Sequence, residues 1–275
     1  MKFTKMHGNG NDFILIEDFM NIYKSNQSDM AKKLCDRHFG IGADGILFVR
    51  NSTRADILME VINSDGSYAS MCGNGIRCFA KYIFEKKIVN KNPLKIETGD
   101  GIKEAFLELD HNKVINITIN MGNPSWDPKD IPSDSAEEII DKSIFVNDKE
   151  YKINSLLMGV PHTVIINNSD QYEVTEGKQL ETLDIFKKGS NINFCQVINR
   201  NEIKVNTWER GAGVTLACGT GSCASVLVCN KLGLTEKKVN VELPGGKLDI
   251  EITKDGVLMT GPAEVSFEGE WESEL

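Results

Sequence analysis

Short apolar runs separated by turn residues mark out strands and helices along this chain. Phe13-Ile14-Leu15-Ile16, entered through the turn-forming His7-Gly8-Asn9-Gly10-Asn11-Asp12, reads as a short buried strand. Ile46-Leu47-Phe48-Val49 follows the glycine-rich loop Gly40-Ile41-Gly42-Ala43-Asp44-Gly45 as a second, and residues 56–62 supply a third. Residues 114–121 alternate, with Ile115, Ile117, Ile119 and Met121 on one side of a half-buried strand. Strand signals recur at 153–157, 163–166, 194–198 and 203–208. Four segments repeat at helical spacing instead. Residues 28–37 put Met30, Ala31, Leu34 and Cys35 on one face, with Ser28 as N-cap. After Cys72, the apolar groups Ile76, Phe79, Ala80, Ile83 and Phe84 form a stripe. Residues 178–187 use Leu180, Leu183 and Phe186. The stretch 222–229 is uncharged and predicts a helix buried almost all round, stopped by Gly233. Pro124, Pro128 and Pro132 punctuate a polar stretch through about Ser143, the expected linker.

Two of these helices are entered alike, through Cys72-Gly73-Asn74-Gly75 and Cys218-Gly219-Thr220-Gly221, 146 residues apart. The same offset carries Ile57 onto Ile203, Asn63 onto Glu209 and Gly99 onto Gly245. A constant offset through strand, loop, helix and following turn predicts a duplicated domain. Equivalent loops of two similar halves would then face each other across a pseudo-twofold axis, with one cysteine on each side.

Composition narrows the partners. A net charge of −9 with no Lys/Arg cluster argues against nucleic acid and against an anionic membrane. No apolar run is long enough to span a bilayer, and Met1 to Gly8 lacks the apolar core of a signal peptide. Seven cysteines (35, 72, 78, 195, 218, 223 and 229) fit a reducing cytoplasm better than a disulfide framework. Their spacings are not the two-residue knuckles of structural zinc, so no metal is expected. The expected partner is a small molecule, and the oligomeric state stays open, a homodimer included.

A thiol before flexible residues at a helix start sits where backbone N–H groups and the helix dipole bind anions and favour thiolate. Two such thiols suit the transfer of a proton at one carbon from two sides. Racemising an amino acid needs this: one thiolate removes the Cα proton from one face while a thiol delivers another to the opposite face. The helix starts at Gly73-Asn74 and Gly219-Thr220 would receive the α-carboxylate and the charge that develops beside it. Buried structural cysteine is the competing reading for either residue alone; for the pair, the duplication reverses the balance. Gly219-Thr220-Gly221-Ser222-Cys223-Ala224 also fits the dinucleotide fingerprint, but the preceding strand ends near Trp208, too early for that use. No particular lysine stands out for pyridoxal phosphate. No cofactor is therefore expected.

Five motifs carry a family resemblance: Met6-His7-Gly8-Asn9-Gly10-Asn11-Asp12-Phe13, Asn63-Ser64-Asp65-Gly66-Ser67, Met71-Cys72-Gly73-Asn74-Gly75-Ile76-Arg77-Cys78, Glu209-Arg210-Gly211-Ala212-Gly213 and Ala217-Cys218-Gly219-Thr220-Gly221. Together they resemble the signatures of diaminopimelate epimerases, in order and over nearly the whole chain. The resemblance implies an α/β fold of α+β type with two pseudo-symmetric domains. Each would be a barrel-like, mostly antiparallel sheet around a central helix, spanning 1–119 with a returning strand at 263–275, and 120–262. It implies a cofactor-independent two-base epimerase of LL- and meso-diaminopimelate with Cys72 and Cys218 as the catalytic pair. Asn11, Asn63, Gly73, Asn74, Asn191, Glu209, Arg210, Gly219 and Thr220 match its substrate-binding positions. Two departures stand out. Val160 in Met158-Gly159-Val160-Pro161-His162 replaces a family asparagine, and Gly45 stands where some members carry glutamine. Val160 leaves room for a racemase of another amino acid, such as lysine or histidine, and His162 reads equally as a pocket or a structural residue. Two cysteines flanking one carbon also predict sensitivity to oxidation.

Overall fold

The computed structural model describes residues 1–169 and 171–272, so residues 273–275 of the expected returning segment lie outside the described residues. The chain divides into two compact units, Met1–Asn120 with the chain from Thr260 onward, and Met121–Met259. The first contains β1 (Lys2–Gly8), β2 (Asn11–Glu17), α1 (Gln27–Leu34), β3 (Gly45–Arg50), β4 (Ile57–Asn63), β5 (Tyr68–Ala69), α2 (Gly73–Glu85), β6 (Leu94–Thr98), β7 (Gly101–Asp110) and β8 (Lys113–Asn120). The second contains β9 (Lys142–Val146), β10 (Lys149–Met158), β11 (Val160–Ile166), α3 (Gly177–Leu180), β12 (Asn191–Asn199), β13 (Glu202–Glu209), β14 (Gly213–Thr215), α4 (Gly219–Lys231), β15 (Lys238–Leu243) and β16 (Gly246–Thr253). Then β17 (Gly256–Gly261) leads to β18 (Glu264–Glu270), which pairs antiparallel with β1.

The two units repeat one pairing scheme. In the first, β1 pairs antiparallel with β2, β2 parallel with β3, β3 antiparallel with β4, β4 parallel with β6, and β6 antiparallel with β7. In the second, β10, β11, β12, β13, β15 and β16 follow in the same sequence of senses. Helix α2 touches β1, β2, β4, β7 and β8, and α4 touches β10, β11, β12, β13 and β16. Strands from both ends of each sheet reach the same helix, so each sheet curls round a central helix.

Burial explains why these helices form. Ile76, Phe79, Ala80 and Ile83 of α2 are all fully buried, each large side chain contributing about 1.5–3 kcal/mol. Helix α4 is buried on nearly every side, from Gly219 to Cys229 with Thr220 excepted. All six residues of β3 are buried because helices cover both faces of the strand. Ile46 and Phe48 pack with Met30 and Leu34 of α1, while Leu47 faces Gly75 of α2. Strand β12 repeats this, with Ile192 and Phe194 packed on Leu180 and Phe186 while Asn193 faces Gly221 of α4.

Several sequence expectations need correction. The N-cap position of α1 is Asn26, which makes no side-chain capping bond, and not Ser28, whose hydroxyl donates to the Gly66 carbonyl at 2.9 Å. The expected helix at 178–187 is only α3 after a 3₁₀ turn at Val174–Glu176; Leu180 and Phe186 are buried, yet the chain between them runs in turns. The proline-rich stretch is no free linker. Ile131 and Ile139 are fully buried in the second-unit core beside Tyr151 and Ile153. In β8 the buried side is Val114, Ile117 and Ile119, with Ile115 exposed, because a bulge shifts the register against Glu108 and Leu109.

Candidate active site

In the first unit Cys72 N-caps α2 from an extended backbone (φ −141°, ψ 115°), and its Sγ accepts from the Gly75 N–H at 3.3 Å. The first turn of α2 carries no acidic residue. Asn11, the first residue of β2, places Oδ1 3.7 Å from Cys72 Sγ and 3.2 Å from Asn74 Nδ2. Its Nδ2 donates to Asp44 Oδ2 at 2.6 Å. Behind Asp44 lies an ion network: Arg37 grips both carboxylate oxygens of Asp12 at 2.8 and 3.1 Å and reaches Asp44 at 2.8 Å. Lys5 pairs with Asp12 at 2.8 Å. Burial works to raise the Asp12 carboxyl, but the hydrogen bonds from Arg37 and Lys5 hold it at about 2. The fully buried Arg77 ties the helix start down, donating to Gly73 O at 3.2 Å and Asn9 Oδ1 at 2.6 Å.

In the second unit Cys218 N-caps α4 from a similar backbone (φ −120°, ψ 109°), 3.5 Å from Thr220 Oγ1. The first turn of α4 again holds no acidic residue. Asn191 accepts from the Arg210 backbone N–H at 2.8 Å and donates to Pro161 O at 2.9 Å, joining the ends of β11, β12 and β13. Glu209 accepts from Thr215 Oγ1 at 2.7 Å. Arg210 is exposed, its guanidinium on Lys188 O at 2.6 Å, and it lines a cavity together with residues 181–184 and 186–189. Beneath α4 lies a buried polar cluster. Asn193 donates to His162 Nδ1 at 3.1 Å and accepts from Thr207 at 3.0 Å, and Thr163 bonds Ser155 and Ser190 at 2.9 Å each. Burial pushes the His162 imidazole down to about 3, so it stays neutral.

The second glycine of each Cys-Gly-x-Gly loop is a close approach. A Cβ on Gly221 would lie 2.3 Å from Asn193 Oδ1 and 3.2 Å from Cys218 Sγ. On Gly75 the nearest atom would be Leu47 Cδ2 at 3.2 Å, the far end of a flexible side chain. Gly221→Ala is therefore expected to cost about 1–3 kcal/mol of stability and to displace Cys218, with Gly75→Ala milder. Denaturant midpoints and kcat for the two variants check this; equal losses would contradict it.

The sequence-predicted residues gather into two groups. Asn11, Cys72, Gly73 and Asn74 meet in the first unit; Cys218, Gly219 and Thr220 share a helix start in the second, where Asn191, Glu209 and Arg210 meet at neighbouring strand ends. Asn63 stands at the end of β4 opposite Gly45, its amide donating to Ser67 Oγ at 3.0 Å in a turn. The sequence reading missed Asp12, Arg37, Asp44 and Asn193. The available signal was charge packed around a glycine-rich loop, and polar alternation in Asn191-Ile192-Asn193-Phe194. Other thiols differ in kind. Burial pushes Cys35 and Cys78 up to about 12, and Cys195, 3.5 Å from Cys229, is raised by that hydrogen bond and by burial.

Comparisons with known proteins bear on the family and the fold. Residues 3–126 and 155–266 match the family model described as diaminopimelate epimerase. A diaminopimelate epimerase of Clostridium perfringens is 55% identical over 269 residues, covering 98% of each chain. Among solved structures, a phenazine biosynthesis protein of the PhzF family from Bacillus anthracis superposes with TM-score 0.73 at 18% identity, over 99% of both chains. A hydroxyproline epimerase from Agrobacterium vitis, with bound trans-4-hydroxy-L-proline, gives TM-score 0.70 at 14% identity, covering 98% of this chain and 90% of that one. These two likenesses are of fold. By the family model and by its identity to curated relatives, the chain belongs to the diaminopimelate epimerase family.

Proposed function

We propose that this chain interconverts LL- and meso-diaminopimelate without a cofactor, moving the Cα proton between Cys72 and Cys218. The observation that carries the reading is that each of these cysteines occupies the N-cap position of a helix whose first turn has no acidic residue. One sulfur, as thiolate, takes the proton; the other, as thiol, returns one to the opposite face, and the roles exchange with substrate handedness. A substrate α-carboxylate fits the first-turn N–H groups at Gly73-Asn74 and Gly219-Thr220, where it and the charge of the developing carbanion meet helix-terminal dipoles. Asn191, Glu209 and Arg210 offer an acceptor, a carboxylate and a guanidinium to the distal ammonium and carboxylate. Cys35, Cys78 and Cys195 keep their protons at working pH and do not compete. The reaction belongs to lysine and cell-wall precursor synthesis and to the cytoplasm, where thiols stay reduced.

Val160 favours a second reading, a racemase of lysine or histidine. It opens β11 where Asn11 opens β2, and it gives the second unit an apolar group in place of an amide. A substrate panel in heavy water separates the two. Cα deuteration of diaminopimelate with none of lysine or histidine is expected; exchange of either with none of diaminopimelate would reject the first reading.

A further inference from the structure

The amide facing the Cys72 thiol has its orientation set from behind. The Asp44 carboxylate can only accept, so the Asn11 edge turned toward it at 2.6 Å must be the NH₂. The opposite edge, 3.7 Å from Cys72 Sγ and 3.2 Å from the Asn74 amide nitrogen, must then be the carbonyl oxygen. A thiol meeting a carbonyl oxygen donates its S–H, and a hydrogen bond to the neutral form favours that form over thiolate. Asp44 is itself held in place, accepting from Arg37 at 2.8 Å and from the Asp12 backbone N–H at 3.1 Å.

The corresponding positions of the second unit carry other residues. Strand register makes its counterparts explicit: Phe13 pairs with Gly45 as His162 pairs with Asn191, so Asn11 corresponds to Val160 and Asp44 to Ser190. Valine offers no acceptor, and Cys218 has the Thr220 hydroxyl at 3.5 Å instead. Asn11 and Val160, at equivalent positions, thus differ in chemistry.

We propose that Asp44 is a positioning residue that fixes the Asn11 amide with its carbonyl toward Cys72 and thereby holds Cys72 in its thiol form. Around this cluster the charged groups are Lys5 from β1, Asp12 from β2, Arg37 from the turn after α1, Asp44 itself and Arg77 of α2. The neighbouring thiols of Cys35 and Cys78, pushed up to about 12 by burial, stay protonated throughout the range of the test. The catalytic consequence rests on the two-thiol reading above, but the effect on Cys72 is a property of the free protein.

The test uses the full chain in a Cys218→Ala background and follows iodoacetamide alkylation of Cys72 against pH by peptide mass spectrometry. In Asp44→Asn, one side-chain oxygen cannot accept from Arg37, Asn11 and the Asp12 N–H together, so the Asn11 amide turns. The alkylation midpoint is expected to fall by about one pH unit, a roughly tenfold faster reaction below it. Asn11→Leu should give the same fall, and Asp44→Asn should add nothing on top of it. A shift of equal size with and without Asn11 would mean that Asp44 acts by its charge alone, and would overturn the proposal. An unchanged midpoint in Asn11→Leu, which leaves the Arg37–Asp12–Asp44 pairs intact, would overturn it as well. Alkylation needs no substrate, so the result is independent of whether diaminopimelate is turned over.

Discussion

Cys72→Ala and Cys218→Ala should each lower epimerisation by at least about 10²–10⁴-fold, the range general acid–base groups supply. The loss should fall in kcat, because the first-turn N–H groups proposed to receive the carboxylate belong to Gly73, Asn74, Gly219 and Thr220 and survive both substitutions. The two losses should also fail to add. Either variant lacks a complete proton path between the two faces, so Cys72→Ala/Cys218→Ala should be hardly slower than the worse single variant. Initial rates in both directions, with circular dichroism to confirm folding, check this. Full activity in either single variant would remove the mechanism. For comparison, Cys35→Ala and Cys78→Ala should act through packing alone, leaving kcat within a few-fold wherever the protein folds.

Arg50→Met carries the largest expected effect on stability. Arg50 is 1% exposed at the end of β3, its Nε and Nη2 lying 3.0 and 2.9 Å from Asp18 Oδ2, with Glu60 on Nη1 and the Phe48 ring 4.8 Å from its guanidinium carbon. Asp18 also shapes the turn after β2, accepting from the Ile22 N–H at 2.7 Å. Methionine fills similar volume but leaves the Asp18 carboxylate buried without its cation, which costs about 3–5 kcal/mol. The urea midpoint should drop with little change in slope. Adding Asp18→Leu should recover part of the loss, since an apolar pair replaces a broken ionic one. A loss below about 1 kcal/mol in Arg50→Met would show that the cluster does not brace β3.

The paired thiol loops were legible because their signal is local. A cysteine, two glycines and an apolar stripe define a helix start within a few residues, and α2 and α4 begin at Gly73 and Gly219, at the expected offset of 146 residues. Strand β1 was hidden. Lys2-Phe3-Thr4-Lys5-Met6 buries Thr4 and Lys5 beside Met6, so its buried positions carry no apolar alternation to read. Asn9 and Gly10, at φ 54° and 84°, are the two-residue turn of a hairpin and no mere entry to β2. The segment after α3 misled for the opposite reason. Leu180, Leu183 and Phe186 have helical spacing, but turns lying on the core present apolar groups at the same intervals. The Asp12–Arg37–Asp44 network was illegible because its members come from the start of β2, the turn after α1 and the loop before β3, which the parallel pairing of β2 with β3 brings together. The family resemblance implied a binding role for Asn11 but said nothing of the Asp44 carboxylate behind it.

The central claim is that one sulfur takes the Cα proton and the other returns a different one. Early-time incubation of LL-diaminopimelate in heavy water, read by mass spectrometry and chiral separation, tests it most directly. Two bases predict that every newly formed meso molecule carries deuterium at the inverted carbon while the remaining LL-diaminopimelate stays unlabelled. Meso product that keeps its original hydrogen, or LL-diaminopimelate that gains deuterium as fast as product forms, would show a single base serving both faces and contradict the account.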